Sequence, residues 1–374
     1  MKKFSTFSYV TEASSFNEEL LGHLTHTKDL PHEEPSLAHH AVDLINQFHK
    51  KRMGKASTVG ASLKTDGGAS VVVGHDEQGA FVSDKHRHKR GVVARTSAEV
   101  DTHFGHLPAY ASQLKQVLKH APNFVNKGHT IQGDLLHTTA EKNKDEAYTP
   151  NRITYHVPKS KASLGIAVHT EVTNGVAHGV TNKALKHDSN TFVPEHEYKP
   201  EPSTYKPEDR AAVEHHLKKA SELMSKHTSD HLTANHITHF TTYLNRSTRN
   251  GTPATVEGYK KHLVGEGAKQ AAKLKTPAGQ QKKMSEYAAH ADHVDKHAEA
   301  FQRSLDIRHH LGQATEHVLK GVEHPDMKTT IDNKPSQGEG VVLQKKDKQG
   351  KMRPVSKLVP VKVSNAILNN PRFS

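Results

Sequence analysis

The chain has 374 residues, no Cys and no Trp, and a formal net charge of +12. The absence of Cys excludes disulfides and thiolate metal sites and fits a reducing compartment, so we expect a cytoplasmic protein. No apolar run is long enough to cross a membrane, and we predict no signal peptide because Lys2 and Lys3 precede no apolar segment. The excess of Lys and Arg favours a polyanionic partner such as nucleic acid.

Residues 1–55 predict a helical N-terminal segment. Ser15–Glu18 has the pattern of a capping box. A second helix is predicted from apolar residues that recur at helical spacing, which are Leu37, Ala41, Leu44, Ile45 and Phe48. Gly54 follows a basic stretch, as is common just beyond a helix end.

Residues 57–95 predict β-structure. One β-prone run, Ser57–Leu63, leads into Lys64–Gly68, and a second, Ala69–Val73, leads out. A hairpin turn is predicted at His75–Gly79. A lysine between two strands can direct its amine at a bound phosphate, and the glycines after it allow the backbone to approach that phosphate closely.

Helix is predicted again at Ser97–Ala121, and strands are predicted between His129 and Val172. Prolines then accumulate between Pro194 and Pro207, and the composition changes after them. This stretch is therefore a predicted joint between two parts of the chain.

Residues 208–322 are rich in Ala, Lys, His, Glu and Gln and predict several helices, the longest from Gln280 to about Gly321. Strand character returns at Gly340–Leu343 and at Val355–Val363. Two β segments that bracket a helical block suggest one domain interrupted by an insertion. We therefore expect a helical N-terminal segment, the first part of a β domain, a helical insertion and the final strands, at 1–55, 56–200, 208–322 and 330–374.

Four short motifs follow one another in the chain. They are Lys64-Thr65-Asp66-Gly67, Gly133-Asp134-Leu135, Glu339-Gly340-Val341-Val342, and the two lysines Lys357 and Lys362. This set, in this order, resembles the motifs of the covalent nucleotidyltransferases, the superfamily of DNA ligases, RNA ligases and mRNA capping enzymes. The resemblance is greatest to phage-type ligases and to uncharacterised phage proteins with the same motif set, which places the expected location in a host cytoplasm.

The resemblance implies an ATP-dependent polynucleotide ligase. In that family a lysine attacks ATP, forms lysyl-AMP, and passes AMP to the 5′-phosphate end of RNA or DNA. The resemblance implies that Lys64 is the nucleophile, that Glu339 holds Mg²⁺, and that Lys362 and, to a lesser extent, Lys357 act on the phosphates. The residues implied to contact the nucleotide are Asp66, Gly67, Lys85, Asp134 and Tyr155.

Lys85 lies where ligases carry a basic residue after the hairpin, and Tyr155 or His169 falls in the segment that stacks on adenine in those enzymes. An amine must be neutral to attack phosphorus, whereas a free lysine has a pKa of roughly 10.4. We therefore expect neighbouring lysines, Lys357, Lys362 and Lys85, to lower the pKa of Lys64.

The sequence also departs from the family pattern. Asp134 stands where Glu is usual, and Pro360 stands where the first lysine of the fifth motif would fall. Twelve residues follow Lys362, too few for the OB-fold that many members carry there. The predicted fold is α+β: a ligase-type nucleotidyltransferase domain of antiparallel sheets with flanking helices, interrupted by a large helical insertion and without a C-terminal OB-fold.

A second hypothesis stays open, a non-catalytic, basic nucleic-acid-binding or virion protein descended from the same fold. Three lysine pairs in the helical block predict sequence-independent phosphate contacts, at Lys218-Lys219, Lys260-Lys261 and Lys282-Lys283. His290, His293 and His297 share a predicted helix face and invite a zinc hypothesis. We favour solvated surface histidines in a compositionally biased sequence.

Overall fold

The computed structural model describes residues 24–139, 147–150, 152–157, 162–173 and 176–368. The predicted capping box at Ser15–Glu18 lies outside these residues. The described part of the chain is α+β, with antiparallel sheets and flanking helices, as predicted.

The strands described are β1 (Val59–Leu63), β2 (Ser70–Asp76), β3 (Gly79–Ser83), β4 (His129–Thr138), β5 (Ala147–Tyr148), β6 (Ile153–His156), β7 (Leu164–Thr173), β8 (Val176–His178), β9 (Thr191–Phe192), β10 (Lys328–Ile331), β11 (Lys334–Ser336), β12 (Val341–Lys346) and β13 (Met352–Leu358). The helices described are α1 (Leu30–Glu33), α2 (Ala38–Arg52), α3 (Lys85–His88), α4 (Ser97–Phe104), α5 (Pro108–Phe124), α6 (Pro207–Met224), α7 (Ala234–Asn250), α8 (Val256–Ala272), α9 (Pro277–Lys296), α10 (Ala298–Leu319) and α11 (Val361–Leu368). Short 3-10 turns lie at Pro35–Leu37 and Pro202–Thr204.

Three sheets carry these strands. The first has the order β1-β12-β13, the second β11-β10-β6-β5, and the third β3-β2-β4-β7-β8, with β9 pairing parallel to β7. The predicted hairpin is present, because β2 and β3 pair across the turn with Asp76 opposite Gly79. Helices α4 and α5 cover the third sheet, where Val71, Ile131 and Leu114 are fully buried in one core.

The pairing of β1 with β12 joins parts of the chain that lie on either side of the helical block. Ser62 of β1 is opposite Val342 of β12, and Val342 is opposite Lys357 of β13. Segments from both sides of the block are therefore paired in one small sheet.

The helical block shares its core with that sheet. Val213 of α6 and Leu311 of α10 pack with Phe48 of α2 and Val341 of β12. Helices α7, α8 and α9 build a second core with α10, around Phe240. Removal of the whole block would therefore also expose the core of the first sheet.

Two local predictions were wrong. The long helix predicted from Gln280 is broken at His297 into α9 and α10. The strand predicted at Val355–Val363 ends at Leu358, and the Pro360 carbonyl accepts from the Ser364 amide at 2.9 Å, so the chain enters α11 instead. Proline has a fixed φ that suits the start of a helix and lacks the amide needed to continue a strand.

The β10–β11 hairpin was not predicted from the sequence. Its turn is Asp332-Asn333, and both residues have positive φ, 50° and 63°. Asp and Asn tolerate this conformation better than other non-glycine residues, and such turns match the twist of paired strands. This hairpin places β10 next to β6, with Thr329 opposite Tyr155.

Candidate functional site

Lys64 is positioned by the end of β1. Its amide donates to the Gly340 carbonyl at 3.0 Å, which extends the β1–β12 pairing by one residue. The Lys64 side chain is only 9% exposed. The lysine therefore leaves the sheet next to the start of β12.

Two carboxyl groups enclose the Lys64 ammonium. Its Nζ forms an ion pair with Asp66 and lies 3.3 Å from Glu339 Oε2. The Asp66 amide donates to the same Glu339 oxygen at 2.9 Å. Glu339 is 2% exposed. Residues from the first and fourth sequence motifs thus meet at one buried point, although Lys64 and Glu339 are 275 positions apart.

Tyr155 belongs to this cluster in a different way from the one predicted. Its side chain is fully buried, and its hydroxyl contacts both Glu339 Oε1 and the Asp66 carbonyl. The ring packs in the core formed by Ile153 and Met327, among others. Tyr155 therefore orients Glu339, and its buried ring cannot serve as the predicted adenine-stacking surface.

The predicted lowering of the Lys64 pKa was wrong. Burial lowers the pKa of Lys64, but the charges of Asp66 and Glu339 outweigh burial, so the net shift is upward. The pKa of Asp66 is lowered: burial raises it, and the adjacent Lys64 ammonium more than compensates. In this state Lys64 is a cation, and an ammonium lacks the free lone pair that a nucleophilic amine requires.

Glu339 has the opposite shift from Asp66. Burial and the nearby Asp66 carboxylate raise the pKa of Glu339 to about 8, against the opposing effects of Lys64 and of the hydrogen bonds from Tyr155 and the Asp66 amide. Two carboxyl groups that share one ammonium resist simultaneous ionisation. A further cation bound between the two carboxyl groups would stabilise both of them in the ionised form.

This shift predicts how stability depends on pH. Between about 4.5 and about 8 the folded protein retains the Glu339 proton and the unfolded chain does not, so stability is lost as pH rises through this window. The free energy of unfolding of the wild type, minus that of Glu339→Gln, is expected to fall with a slope of up to about 1.4 kcal/mol per pH unit. Urea unfolding in chelator-containing buffers at pH 5–9 measures this difference, and a constant difference would contradict the assignment.

Two glycines allow backbone segments to meet at the site. A Cβ on Gly67 would lie 2.4 Å from the Leu135 carbonyl, so Gly67 lets the loop after Lys64 pack on β4. Gly340 has a φ of +108°, and its Cβ would lie 2.0 Å from the Leu358 carbonyl. In this structure Gly67 allows close packing against β4, whereas the sequence predicted that it allows the backbone to approach a phosphate.

Replacing Gly340 with alanine is expected to destabilise the protein strongly. The new Cβ would adopt an unfavourable φ and collide with the β13 backbone, at a combined cost of at least ~2 kcal/mol. Gly350→Ala is the matched control, because Gly350 also has a positive φ, +78°, but its Cβ would meet open space. Thermal unfolding of both variants separates the collision from the backbone strain, and equal losses would contradict this explanation.

Asp134 and His169 on the third sheet, with Lys85 on α3 beside it, form a partly exposed rim. The Asp134 carboxylate is 21% exposed and lies 3.6 Å from His169 Nε2. Burial and the charge of Lys89 lower the pKa of Lys85, and Asp134 acts in the opposite direction. Because Ser70, just after the Lys64 loop, is opposite Asp134, this rim adjoins Asp66, whose side chain is 32% exposed.

The two C-terminal lysines are placed in the reverse of the predicted order. Lys357 lies on β13, and burial and the charge of Lys64 lower its pKa to about 8. Lys362 is exposed in the first turn of α11. Lys357, and not Lys362, is thus the lysine beside Lys64, because the strand ends before Lys362.

At least one lysine of each pair in the helical block, and His293, have local partners. Lys219, Lys260 and Lys283 each form an ion pair with an acidic side chain. His293 lies 3.0 Å from the His231 carbonyl and stacks on His236. His290, His293 and His297 are part-buried, so these rings are less exposed than the solvated surface histidines that we expected.

Sequence reasoning missed the N-terminal segment as part of the site. His26 pairs with Lys357 in a parallel bridge, and the charges of Lys28 and Glu33 act on Lys357. The segment carries no motif, since isolated charged residues ahead of a short helix are common in any sequence. Only its pairing with β13 brings it to Lys64.

No helix among the residues described is long and apolar enough to span a bilayer. Comparisons with curated proteins and with solved structures find no match. A family model for proteins of unknown function matches residues 21–360, which include the whole Lys64 cluster. The chain therefore belongs to the family of unknown function DUF6267.

Proposed function

We propose that this protein is an ATP-dependent nucleotidyltransferase of the polynucleotide-ligase type, with Lys64 as the residue that becomes adenylylated. The observation that carries the proposal is the convergence of Lys64, Asp66 and Glu339 on one buried point, with Lys357 on the same sheet. The proposal takes the antiparallel sheets as a ligase-type domain that the helical block interrupts.

The chemistry begins with a neutral Lys64 amine. Its lone pair attacks the α-phosphorus of ATP, a nitrogen–phosphorus bond forms, and the bond to the bridging oxygen breaks, so pyrophosphate leaves with the electron pair. The proton lost from the ammonium passes to solvent. A 5′-phosphate oxygen then displaces Lys64 from the AMP phosphorus, and a 3′-hydroxyl finally displaces AMP, which closes the strand.

Two arrangements prepare Lys64 for this chemistry. Burial disfavours its charged form, so Lys64 would lose its proton more readily once Asp66 and Glu339 engage another cation. The nearby Lys357 ammonium acts in the same direction and offers a charge to the transferring phosphoryl group. Tyr155 keeps Glu339 in place through its buried hydroxyl.

The residues present fit a magnesium ion. Asp66 and Glu339 offer hard oxygen donors that already enclose a cation, the Lys64 ammonium. Among the residues described, no three His, Cys, Asp or Glu side chains are grouped to hold a metal, and magnesium is commonly held by one or two carboxylates together with substrate phosphates and water. When bound, the ion would neutralise charge on the phosphates.

The function is tested by incubating the protein with ATP labelled at the α-phosphate, with magnesium, and then separating it on a denaturing gel. We expect label to remain on the chain, to be lost in acid and kept in base as for a phosphoramidate, and to be removed by added pyrophosphate. A protein that takes no label with any nucleotide or divalent metal would contradict the proposal. Addition of nicked duplexes and of single-stranded RNA then tests the acceptor.

Lys357→Ala is expected to reduce self-adenylation more than Lys362→Ala does. Lys357 lies beside Lys64, and loss of one charge at a phosphoryl-transfer site costs roughly a hundredfold, whereas Lys362 is exposed on α11. Initial labelling rates at saturating ATP measure the difference. A larger loss with Lys362→Ala would mean that α11 moves into the site when nucleotide binds.

The second candidate is a non-catalytic, basic nucleic-acid-binding protein of the same fold. The ion pairing of Lys64 favours it, because a lysine held between two carboxyl groups is a poor nucleophile. The cavity next to Lys64 is about 10 Å³, room for roughly one water. This candidate predicts salt-sensitive polynucleotide binding with no label on the chain in the same gel.

A further inference from the structure

The N-terminal segment forms an additional edge of the β1-β12-β13 sheet. The Thr27 amide donates to the Lys357 carbonyl at 3.0 Å, and the Lys357 amide donates to the Thr25 carbonyl at 3.2 Å. The Ser356 hydroxyl donates to the same Thr25 carbonyl at 2.8 Å. The backbone before α1 is therefore fixed directly beside Lys357.

Helix α10 anchors the next turn of this segment. Asp29 accepts from Lys28 Nζ at 2.6 Å and from Arg308 Nε at 2.6 Å. Lys28 and Asp29 are both less than 10% exposed. The segment is thus tied on one side to β13 and on the other to the helical block.

Register places His26 on the same sheet face as Lys64. Ser62, Val342 and Lys357 are partners across β1, β12 and β13, and His26 is the partner of Lys357 in the added edge. Lys64 follows Ser62 by two residues, and alternate residues of a strand share a face. Lys64, Lys357 and His26 therefore project from one side of the sheet.

Three ammonium groups and one carboxylate act on the His26 ring. Burial, followed by the charges of Lys28 and Lys357, holds the pKa of His26 well below its usual value. The Asp29 carboxylate, which is ion-paired with Lys28, opposes this shift, and Lys64 adds to it. The ring nitrogen Nδ1 is buried and makes no hydrogen bond with the residues described. A neutral ring among ammonium groups suits an arriving anion, which would both accept a hydrogen bond and offset the neighbouring charges.

The distribution of charged groups around Lys64 indicates the direction in which a bound phosphate chain would extend. Asp66 and Asp134 lie toward the third sheet, whereas Lys357, Lys28 and His26 lie toward the N-terminal edge. The acidic groups on that edge are Glu33 and Asp29, and Asp29 is already ion-paired with Lys28 and Arg308. A phosphate chain with its α-phosphorus at Lys64 is repelled from the first side and attracted to the second. This difference favours a path for the β- and γ-phosphates along Lys357 to His26.

Resting on the proposed function, we propose that His26 binds the β- and γ-phosphates of the nucleoside triphosphate and holds pyrophosphate as it leaves. His26 is a binding residue for the leaving group in this arrangement. The N-terminal segment then completes the phosphate side of the site.

The test measures inorganic pyrophosphate binding by titration calorimetry, with magnesium and without nucleotide. His26→Leu and His26→Gln both keep roughly the size of the ring, but only Gln keeps a hydrogen-bond donor. We expect His26→Leu to weaken pyrophosphate binding about tenfold or more, on the scale of one hydrogen bond to a charged group. His26→Gln is expected to bind several-fold more tightly than His26→Leu, and His106→Ala, at an exposed histidine, to bind as the wild type does.

Two results would overturn the inference: equal pyrophosphate affinity in the wild type and His26→Leu, or equal losses in His26→Leu and His26→Gln, which would indicate a packing effect. Pyrophosphate binding does not require adenylation, so the two proposals fail separately. A protein that never takes label but binds pyrophosphate through His26 loses the proposed activity and keeps the anion site. A labelled protein with His26-independent pyrophosphate binding keeps the activity and loses this inference.

Discussion

Replacing Lys64 with arginine is expected to abolish self-adenylation while leaving the fold intact. The guanidinium keeps the positive charge that Asp66 and Glu339 enclose, but its pKa is too high for it to lose a proton and attack phosphorus. Labelling with α-labelled ATP on a denaturing gel measures the loss, which should reach the detection limit. Lys64→Ala should give the same chemical result.

The two substitutions differ in their effect on stability. Lys64→Ala leaves Asp66 and Glu339 close together without the ammonium between them, so we expect a lower melting temperature than for Lys64→Arg. Any covalent label on Lys64→Arg would show that another residue is the nucleophile. Mapping of the labelled peptide from the wild type checks the assignment independently.

Replacing Glu339 with glutamine is expected to slow adenylation by roughly a hundredfold or more, the scale for removing one preorganised charged group from a phosphoryl-transfer site. Glutamine keeps the size of the side chain and an oxygen that can accept from Tyr155. Because that single oxygen cannot also accept from the Asp66 amide, the loss would report the charge together with this hydrogen bond, and not a change in side-chain size. Glu339→Ala should be at least as severe.

Single-turnover labelling rates at several magnesium concentrations separate binding from chemistry. If Glu339 contributes to magnesium binding, the rate of Glu339→Gln should recover partly at high magnesium. Glu77→Gln is the matched control, because Glu77 is 88% exposed and pairs with Lys127 at the hairpin turn. Rates within a few-fold of wild type for Glu339→Gln would remove Glu339 from the site.

Local sequence patterns predicted secondary structure correctly where residues that are close in sequence are also close in space. The strand, loop and strand around Lys64 are present at Val59–Leu63 and Ser70–Asp76, and the hairpin closes at Gly79. The helical character of 208–322 also holds, since α6 to α10 fill it. Periodicity and turn residues act over a few positions, and these elements depend on little else.

The site was predicted in part. The order of the motifs anticipated that Lys64 and Glu339 would meet, but not that Asp66 and Glu339 would raise the pKa of Lys64. Tyr155 was predicted to contact the nucleotide. Its pairing opposite Thr329 instead buries the ring and places the hydroxyl against Glu339. The role of a side chain depends on the sheet that it faces, and a local sequence pattern carries no information about that sheet.

The sequence by itself determined the strands around Lys64, the glycines at 67 and 340, and the order in which lysine and carboxylates follow one another. Only the tertiary structure decided which distant groups share the buried site. Lys357 and not Lys362 lies beside Lys64 because β13 ends at Leu358. Backbone hydrogen bonds between the N-terminal segment and Lys357 bring His26 next to that lysine. The physical reason is that backbone pairing is nearly independent of side-chain identity, whereas the charge around each group depends on which strands are paired.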